Sequence, residues 1–188
     1  MSVIQMQPTY GARRAPRRDR AIERVVSVLA IGLPLLALAH ASRGVLLVNS
    51  TPSEPPGVYV RAARAPVRVG DLIAFLAPPA AFSYADLKMG YLHGTPILKA
   101  VAATGGDEVC TRGGELRING ADRAAIVQRD GQGRTLPHWF GCRRLGRDDV
   151  FVFSDRVPTS FDSRYFGPVS VESAAIYSPL VTTSGIGR

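Results

Sequence analysis

From Val25 to Ser42 the chain carries no charge, and this run limits its possible folds more than any other feature. It is just long enough to cross the hydrocarbon layer of a bilayer. Immediately before it stand Arg13, Arg14, Arg17, Arg18, Arg20 and Arg24 against Asp19 and Glu23, so this head holds +4 of the formal net charge of +8. An arginine excess on one flank keeps that flank in the cytoplasm and sends the other side across the membrane. Two readings stay open: a retained anchor, or a signal segment removed at the small residues Ala39-His40-Ala41. A buried helix of a soluble core fits less well, because Gly32 and Pro34 weaken a helix in water and the arginines would be unexplained. The head has no aromatic residues interleaved with its arginines, so nucleic acid is not expected as a partner. Three parts result: a basic cytoplasmic N-terminus (1–24), a transmembrane anchor or signal segment (25–42), and an extracytoplasmic domain (43–188). In this reading the chain passes a membrane once and its larger domain works outside the cytoplasm.

Beyond Arg43 the pattern is one of short extended runs. Gly44–Asn49, Val58–Arg61, Val69–Leu76, Ile97–Ala102 and Val150–Asp155 read as strands, each bounded by Gly, Pro, Asn or Asp. Ala80–Leu92 suits a short helix, with Pro79 at its start and Phe82, Leu87 and Tyr91 near one face. Glu115–Gly120 reads as a strand ending in an Asn-Gly hairpin turn. The Gly- and Arg-rich stretch from about 110 to 147 reads as an inserted flap. Pro158–Pro168 is expected to be a polar loop, and Val169–Tyr177 a final strand or short helix. Many short strands with little helix predict a mainly β fold of partly closed antiparallel sheets.

Cys110 and Cys142 are the only cysteines, and in an exported protein they fit one disulfide, with two free buried thiols as the alternative. Closing the 31 residues between them would stabilise the fold by roughly 3–4 kcal/mol in the loop-entropy description. With His40, His93 and His138 scattered, neither a metal nor a cofactor is expected.

Ser53 and Lys99 each lie in a phrase that makes sense if the two side chains meet. Ser53 sits in Asn49-Ser50-Thr51-Pro52-Ser53-Glu54-Pro55-Pro56-Gly57-Val58-Tyr59, and Lys99 in an apolar strand between Pro96 and Asp107. A serine hydroxyl is a weak nucleophile until a base takes its proton, and no Ser/His/Asp set is visible. A buried, neutral lysine can serve. To act near neutrality, Lys99 would need its pKa lowered by about 3 from an ordinary value near 10.4, about 4 kcal/mol against the charged form. Ile97, Leu98, Ala100, Val101 and Ala102 supply the apolar surroundings. Read without these phrases, Lys99 is an ordinary snorkelling lysine and Ser53 a turn serine between prolines.

These two phrases, together with Gly70–Phe75 and Ser160-Phe161-Asp162-Ser163-Arg164-Tyr165-Phe166-Gly167-Pro168-Val169, resemble in this order the signal peptidase I superfamily, over residues 45–177. Asn49, Thr51, Ser53, Pro55, Gly57 and Tyr59 resemble its TraF-type branch of conjugative transfer peptidases. Glu54 departs from the Met that ordinary signal peptidases place after the nucleophile. The resemblance implies a signal-peptidase-like β fold with an inserted flap behind an N-terminal membrane helix. It further implies a membrane-bound serine endopeptidase with a Ser/Lys dyad that processes an exported pilin precursor, and in some members joins the pilin's ends by transpeptidation. On that footing Ser53 is the nucleophile and Lys99 the general base, and Asp162 belongs to the active site. Thr51 serves the oxyanion beside the Ser53 N–H, Ser160 orients the Lys99 amine, and Arg164 pairs with Asp162. Two apart in an extended segment, Asp162 and Arg164 would point to one side and buttress the lysine strand; Asp155 is given a loop role. Ser53 would lie at most about 33 Å of extended chain beyond Arg43, close enough to meet substrates at the bilayer surface.

The implied partners are an exported pilin or preprotein, the inner membrane and the conjugative pilus assembly machinery. One alternative is a general signal peptidase I that cleaves preprotein signal peptides. Another is a non-catalytic pilus or secretion assembly module that keeps the fold. LexA-type repressors also use a Ser/Lys dyad, for self-cleavage, but they carry a helix-turn-helix that this chain lacks and have no apolar segment like Val25–Ala39.

Overall fold

The computed structural model describes residues 17–41, 44–63, 66–81, 84, 90 and 94–183. The chain divides into two compact units, residues 1–43 and 44–188. The first contains one helix, α1 (Arg17–Ala41), with Pro34 inside it. The described side chains of this helix, 22–34, are all exposed, Val25, Val28 and Ile31 among them. Among the described residues no helix is long and apolar enough to cross a membrane. Positions 35–42 of the uncharged run fall outside the described side chains.

The second unit is built from two antiparallel sheets. Seven strands form the larger: β1 (Leu46–Asn49), β2 (Gly57–Arg61), β3 (Leu72–Phe75), β4 (Ile97–Ala103), β9 (Asp149–Val152), β10 (Val169–Ser170) and β11 (Ala174–Thr182), in the order β1-β2-β11-β3-β4-β9-β10. The smaller runs β7-β6-β5-β8, from β5 (Glu108–Arg112), β6 (Glu115–Ile118), β7 (Ala121–Ala125) and β8 (Gly141–Arg144). The region read as a flap therefore holds a sheet of its own. Its β6–β7 turn is the expected Asn119-Gly120, both residues at positive φ, a conformation that Asn and Gly accept most readily. Cys110 and Cys142 face each other on β5 and β8 and are joined by a disulfide.

The position of β4 explains why its sequence is apolar on both faces. It lies between β3 and β9, and every residue from Ile97 to Ala103 is buried except the half-buried Ala100. Alternation sends Ile97 and Val101 into a core shared with Ile73, Phe75, Val150, Val152, Phe161, Tyr165 and Phe166, while Leu98 joins Tyr59, Ala74 and Tyr177 on the other side. Lys99 has the same parity as Ile97 and Val101, so the fold pushes its amine toward the larger apolar cluster. A separate core of Val109, Leu116, Ile118, Leu145, Phe151 and Phe153 supports the smaller sheet.

Two sequence readings need correction. The run expected to be strand through Asp155 ends at Val152. The segment expected to be a polar loop is instead buried from Ser160 to Gly167 and contains a helical turn, α2 (Ser163–Phe166). Its polar residues are consumed internally, which lets a segment rich in polar groups lie in the interior. Of the expected 80–92 helix, Pro79–Ala81 is a 3₁₀ turn and Tyr84 is helical; the other residues, apart from Gly90, lie outside the described ones.

Candidate active site

The loop between β1 and β2 is held by the side chain of Asn49. Its Nδ2 donates to the carbonyls of Thr51, Glu54 and Pro55 at 3.0, 3.0 and 3.2 Å, and its Oδ1 accepts from the Thr51 N–H and hydroxyl. Tyr59 closes the loop from the far side, donating its hydroxyl to the Pro55 carbonyl at 2.5 Å. Gly57 is required where the loop enters β2, because a Cβ there would lie 2.2 Å from the Val181 carbonyl oxygen. Asn49, Thr51, Pro55, Gly57 and Tyr59 thus form one turn whose product is the placement of Ser53.

Ser53 is buried, and its carbonyl accepts from the Ser154 hydroxyl, which ties the loop to the end of β9. Thr51 Oγ1 lies 3.4 Å from Ser53 Oγ, although its hydrogen goes to Asn49. Lys99 is 4% exposed, and its Nζ donates to Ser160 Oγ at 2.9 Å. One cavity of about 290 Å³ is lined by the Ser53 loop, by Thr95–Lys99 and by Val157, Thr159, Ser160 and Phe161. Ser53, Lys99, Thr51 and Ser160 therefore open into the same space.

Burial lowers the Lys99 pKa from its ordinary value to about 8, against the opposing pull of Asp162 and Glu54 and with a smaller push from Arg164. A substantial neutral fraction therefore exists in mildly alkaline solution, and a neutral amine can accept a proton from an alcohol.

Asp162 and Arg164 are completely buried and paired through two bonds, Nε to Oδ1 at 2.8 Å and Nη2 to Oδ2 at 2.9 Å. The pairing is not that of an extended segment. Asp162 is the N-cap of α2 and accepts from the Arg164 N–H, so a helical turn folds the arginine back over its own cap. Arg164 also donates to the carbonyls of Ser160 and of Ala125 on β7, and its guanidinium lies over the Phe153 ring. The pair fixes the backbone of Ser160, and Ser160 carries the hydroxyl that meets Lys99.

Two site residues were missed in the sequence. Glu54 is buried and accepts from the Ala100 N–H at 3.0 Å, although it was noticed only as a departure from Met. Ser154 offered no signal, since a Ser after an apolar strand is unremarkable. Asp155 is exposed in the loop after β9. Among the described residues no group of His, Cys, Asp and Glu is arranged to hold a metal ion.

The mainly β unit of antiparallel sheets has a signal-peptidase-like fold, and in it Ser53 and Lys99 line one cavity. Residues 18–176 match the family described as signal peptidase, peptidase S26, and the chain belongs to that family. Within it the likeness is to the TraF type. Two Escherichia coli plasmid transfer proteins TraF are 36% identical over 161 residues, spanning 79% of this chain and 90% of theirs, and 31% identical over 178 residues, spanning 87% and 99%. A probable conjugal transfer protein TraF of Sinorhizobium fredii is 37% identical over 134 residues, spanning 65% of this chain and 69% of its own.

Proposed function

We propose that the protein is a membrane-bound serine endopeptidase of conjugative transfer, which matures an exported pilin precursor through Ser53 and Lys99. The observation that carries this reading is the buried Lys99 amine, held at 2.9 Å from Ser160 Oγ in the cavity that Ser53 also lines. Neutral Lys99 takes the Ser53 hydrogen as the oxygen attacks the scissile carbonyl. The Ser53 N–H stabilises the oxyanion, joined by the Thr51 hydroxyl once it turns from Asn49. The protonated amine then returns its hydrogen to the departing amine, leaving an acyl-enzyme on Ser53. Asp162 and Arg164 hold the segment that presents Ser160 to the lysine.

The acyl-enzyme has two exits. Water releases a trimmed linear product, whereas the substrate's own amino terminus would release a ring one water lighter. In this reading the arginine-rich head stays in the cytoplasm, residues 25–42 anchor the chain in the inner membrane, and residues 43–188 act in the periplasm. The names of the TraF relatives support the link to conjugation.

Co-expression with the candidate pilin, read by mass spectrometry, tests the proposal. Ser53→Ala and Lys99→Ala should each leave the precursor uncut in a folded protein. Normal maturation by either variant would refute the assignment.

A further inference from the structure

Glu54 follows Ser53 in the chain, and Ala100 follows Lys99. The hydrogen bond from the Ala100 N–H to Glu54 Oε1 therefore joins the two residues adjacent to the proposed nucleophile and base. It also replaces a bond that the sheet would otherwise make. The Phe153 N–H donates to the Ala100 carbonyl at 3.1 Å, as in a bonded pair of an antiparallel ladder. The regular return bond would run from the Ala100 N–H to the Phe153 carbonyl. The carboxylate of Glu54 occupies that donor instead, and β9 ends one residue earlier, at Val152.

Resting on the peptidase reading above, we propose that Glu54 is a positioning residue: its carboxylate straps the Ser53 loop to the Lys99 strand and thereby sets the gap across which the proton moves. A buried carboxylate is an expensive way to satisfy one N–H that a backbone carbonyl could take. Desolvation raises the Glu54 pKa, opposed by the Ala100 N–H and by Lys99. The charged groups facing Glu54 are Lys99, Arg156 and Asp155, and those facing Lys99 are Asp162, Glu54 and Arg164. Glu54 is thus both a mechanical tie and one of two anions acting on the amine. Removing the charge while keeping an acceptor separates these effects.

The test uses the full-length chain in detergent, as wild type, Glu54→Gln and Glu54→Leu. Two readouts are followed against pH: acylation of Ser53 by a penem, measured by intact mass, and titration of the Lys99 side chain by NMR. With only two lysines in the sequence, Lys88→Arg makes the resonance assignment direct. Glu54→Gln keeps an oxygen for the Ala100 N–H and loses the anion. It should move the Lys99 midpoint and the acylation limb together to lower pH by about one unit, with the plateau rate retained within about threefold. Glu54→Leu loses the tie and should drop the plateau by about tenfold or more. A Lys99 midpoint unchanged in both variants, or a Glu54→Leu plateau equal to wild type, overturns the inference. If wild type neither acylates nor cuts, the peptidase reading falls, and the positioning role falls with it even where the Lys99 midpoint moves.

Discussion

The amine of Lys99 and the hydroxyl of Ser160 are hydrogen-bonded at 2.9 Å across 61 residues of sequence, and both side chains are buried. Ser160 is fixed in turn by its carbonyl, which accepts from Arg164. Ser160→Ala should leave the fold intact and release the amine to other rotamers. We expect kcat to fall by about 10- to 100-fold with little change in KM, and Ser160→Thr to restore most of the loss. Steady-state cleavage of the pilin precursor measures both.

The Lys99 pKa of about 8 sets a direction for the pH profile. The amine is a base only when neutral, so kcat/KM should rise with pH and level off above about 8. A limb with a midpoint near 6 or below would mean that a different group is titrating. A profile flat from pH 6 to 10 would remove lysine from the proton-transfer step.

The same depression makes Lys99 a burden on stability. Its folded pKa of about 8 lies below the ordinary 10.5, so between these values the unfolded chain binds more protons and stability rises with pH. Below about pH 8 the penalty is fully present, at roughly 3 kcal/mol. Lys99→Met keeps most of the volume and removes the charge. It should be inactive yet more stable than wild type by about 1–3 kcal/mol at pH 7, with the gain shrinking toward pH 10. Urea unfolding at the two pH values tests this, and a variant less stable at pH 7 would contradict it.

Short apolar runs with turn residues at their ends made most strands legible, and the apolar neighbours of Lys99 announced a buried lysine because an interior strand must be apolar on both faces. The helical turn at Ser163–Phe166 was not legible, because Ser160, Asp162, Ser163 and Arg164 read simply as a polar loop. Asp162 and Arg164 satisfy each other and Ser163 accepts from the Val152 N–H, so all four residues are buried. Composition cannot distinguish polar groups that face water from polar groups that face one another. Glu54 stayed hidden for a related reason: its partner is a backbone N–H on a strand 46 residues away, and backbone donors leave no trace in a sequence.

Breaking the Asp162–Arg164 pair should cost more than breaking any exposed ion pair of this protein, such as Arg117 with Asp122. Arg164→Met leaves a buried carboxylate without its partner, and Asp162→Asn leaves a guanidinium underneutralised against the Phe153 ring. Each should destabilise the fold by about 3–5 kcal/mol, whereas Arg117→Ala should leave stability nearly unchanged. Equilibrium denaturation provides the comparison.

Gly57 offers a test of how tightly the site depends on the sheet beneath it. A Cβ at this position would lie 2.2 Å from the Val181 carbonyl oxygen and 2.8 Å from the Thr182 Cα, both backbone atoms of β11, so no side-chain rotation relieves the clash. β2 and β11 must separate at Gly57↔Thr182, next to the irregular step between Pro179 and Val181. The Asn49–Gly57 loop ends at this pair, and a shift there moves Ser53 relative to a lysine anchored on β4. Gly57→Ala should therefore lower stability by about 1–3 kcal/mol and reduce cleavage by a larger factor than the unfolded fraction explains. Gly131→Ala provides the control, since nothing lies within 4 Å of its Cβ and its φ is ordinary. It should be neutral or slightly stabilising, by up to about 1 kcal/mol. Equal effects of the two substitutions on melting temperature and cleavage rate would show that the β2–β11 contact does not govern the loop.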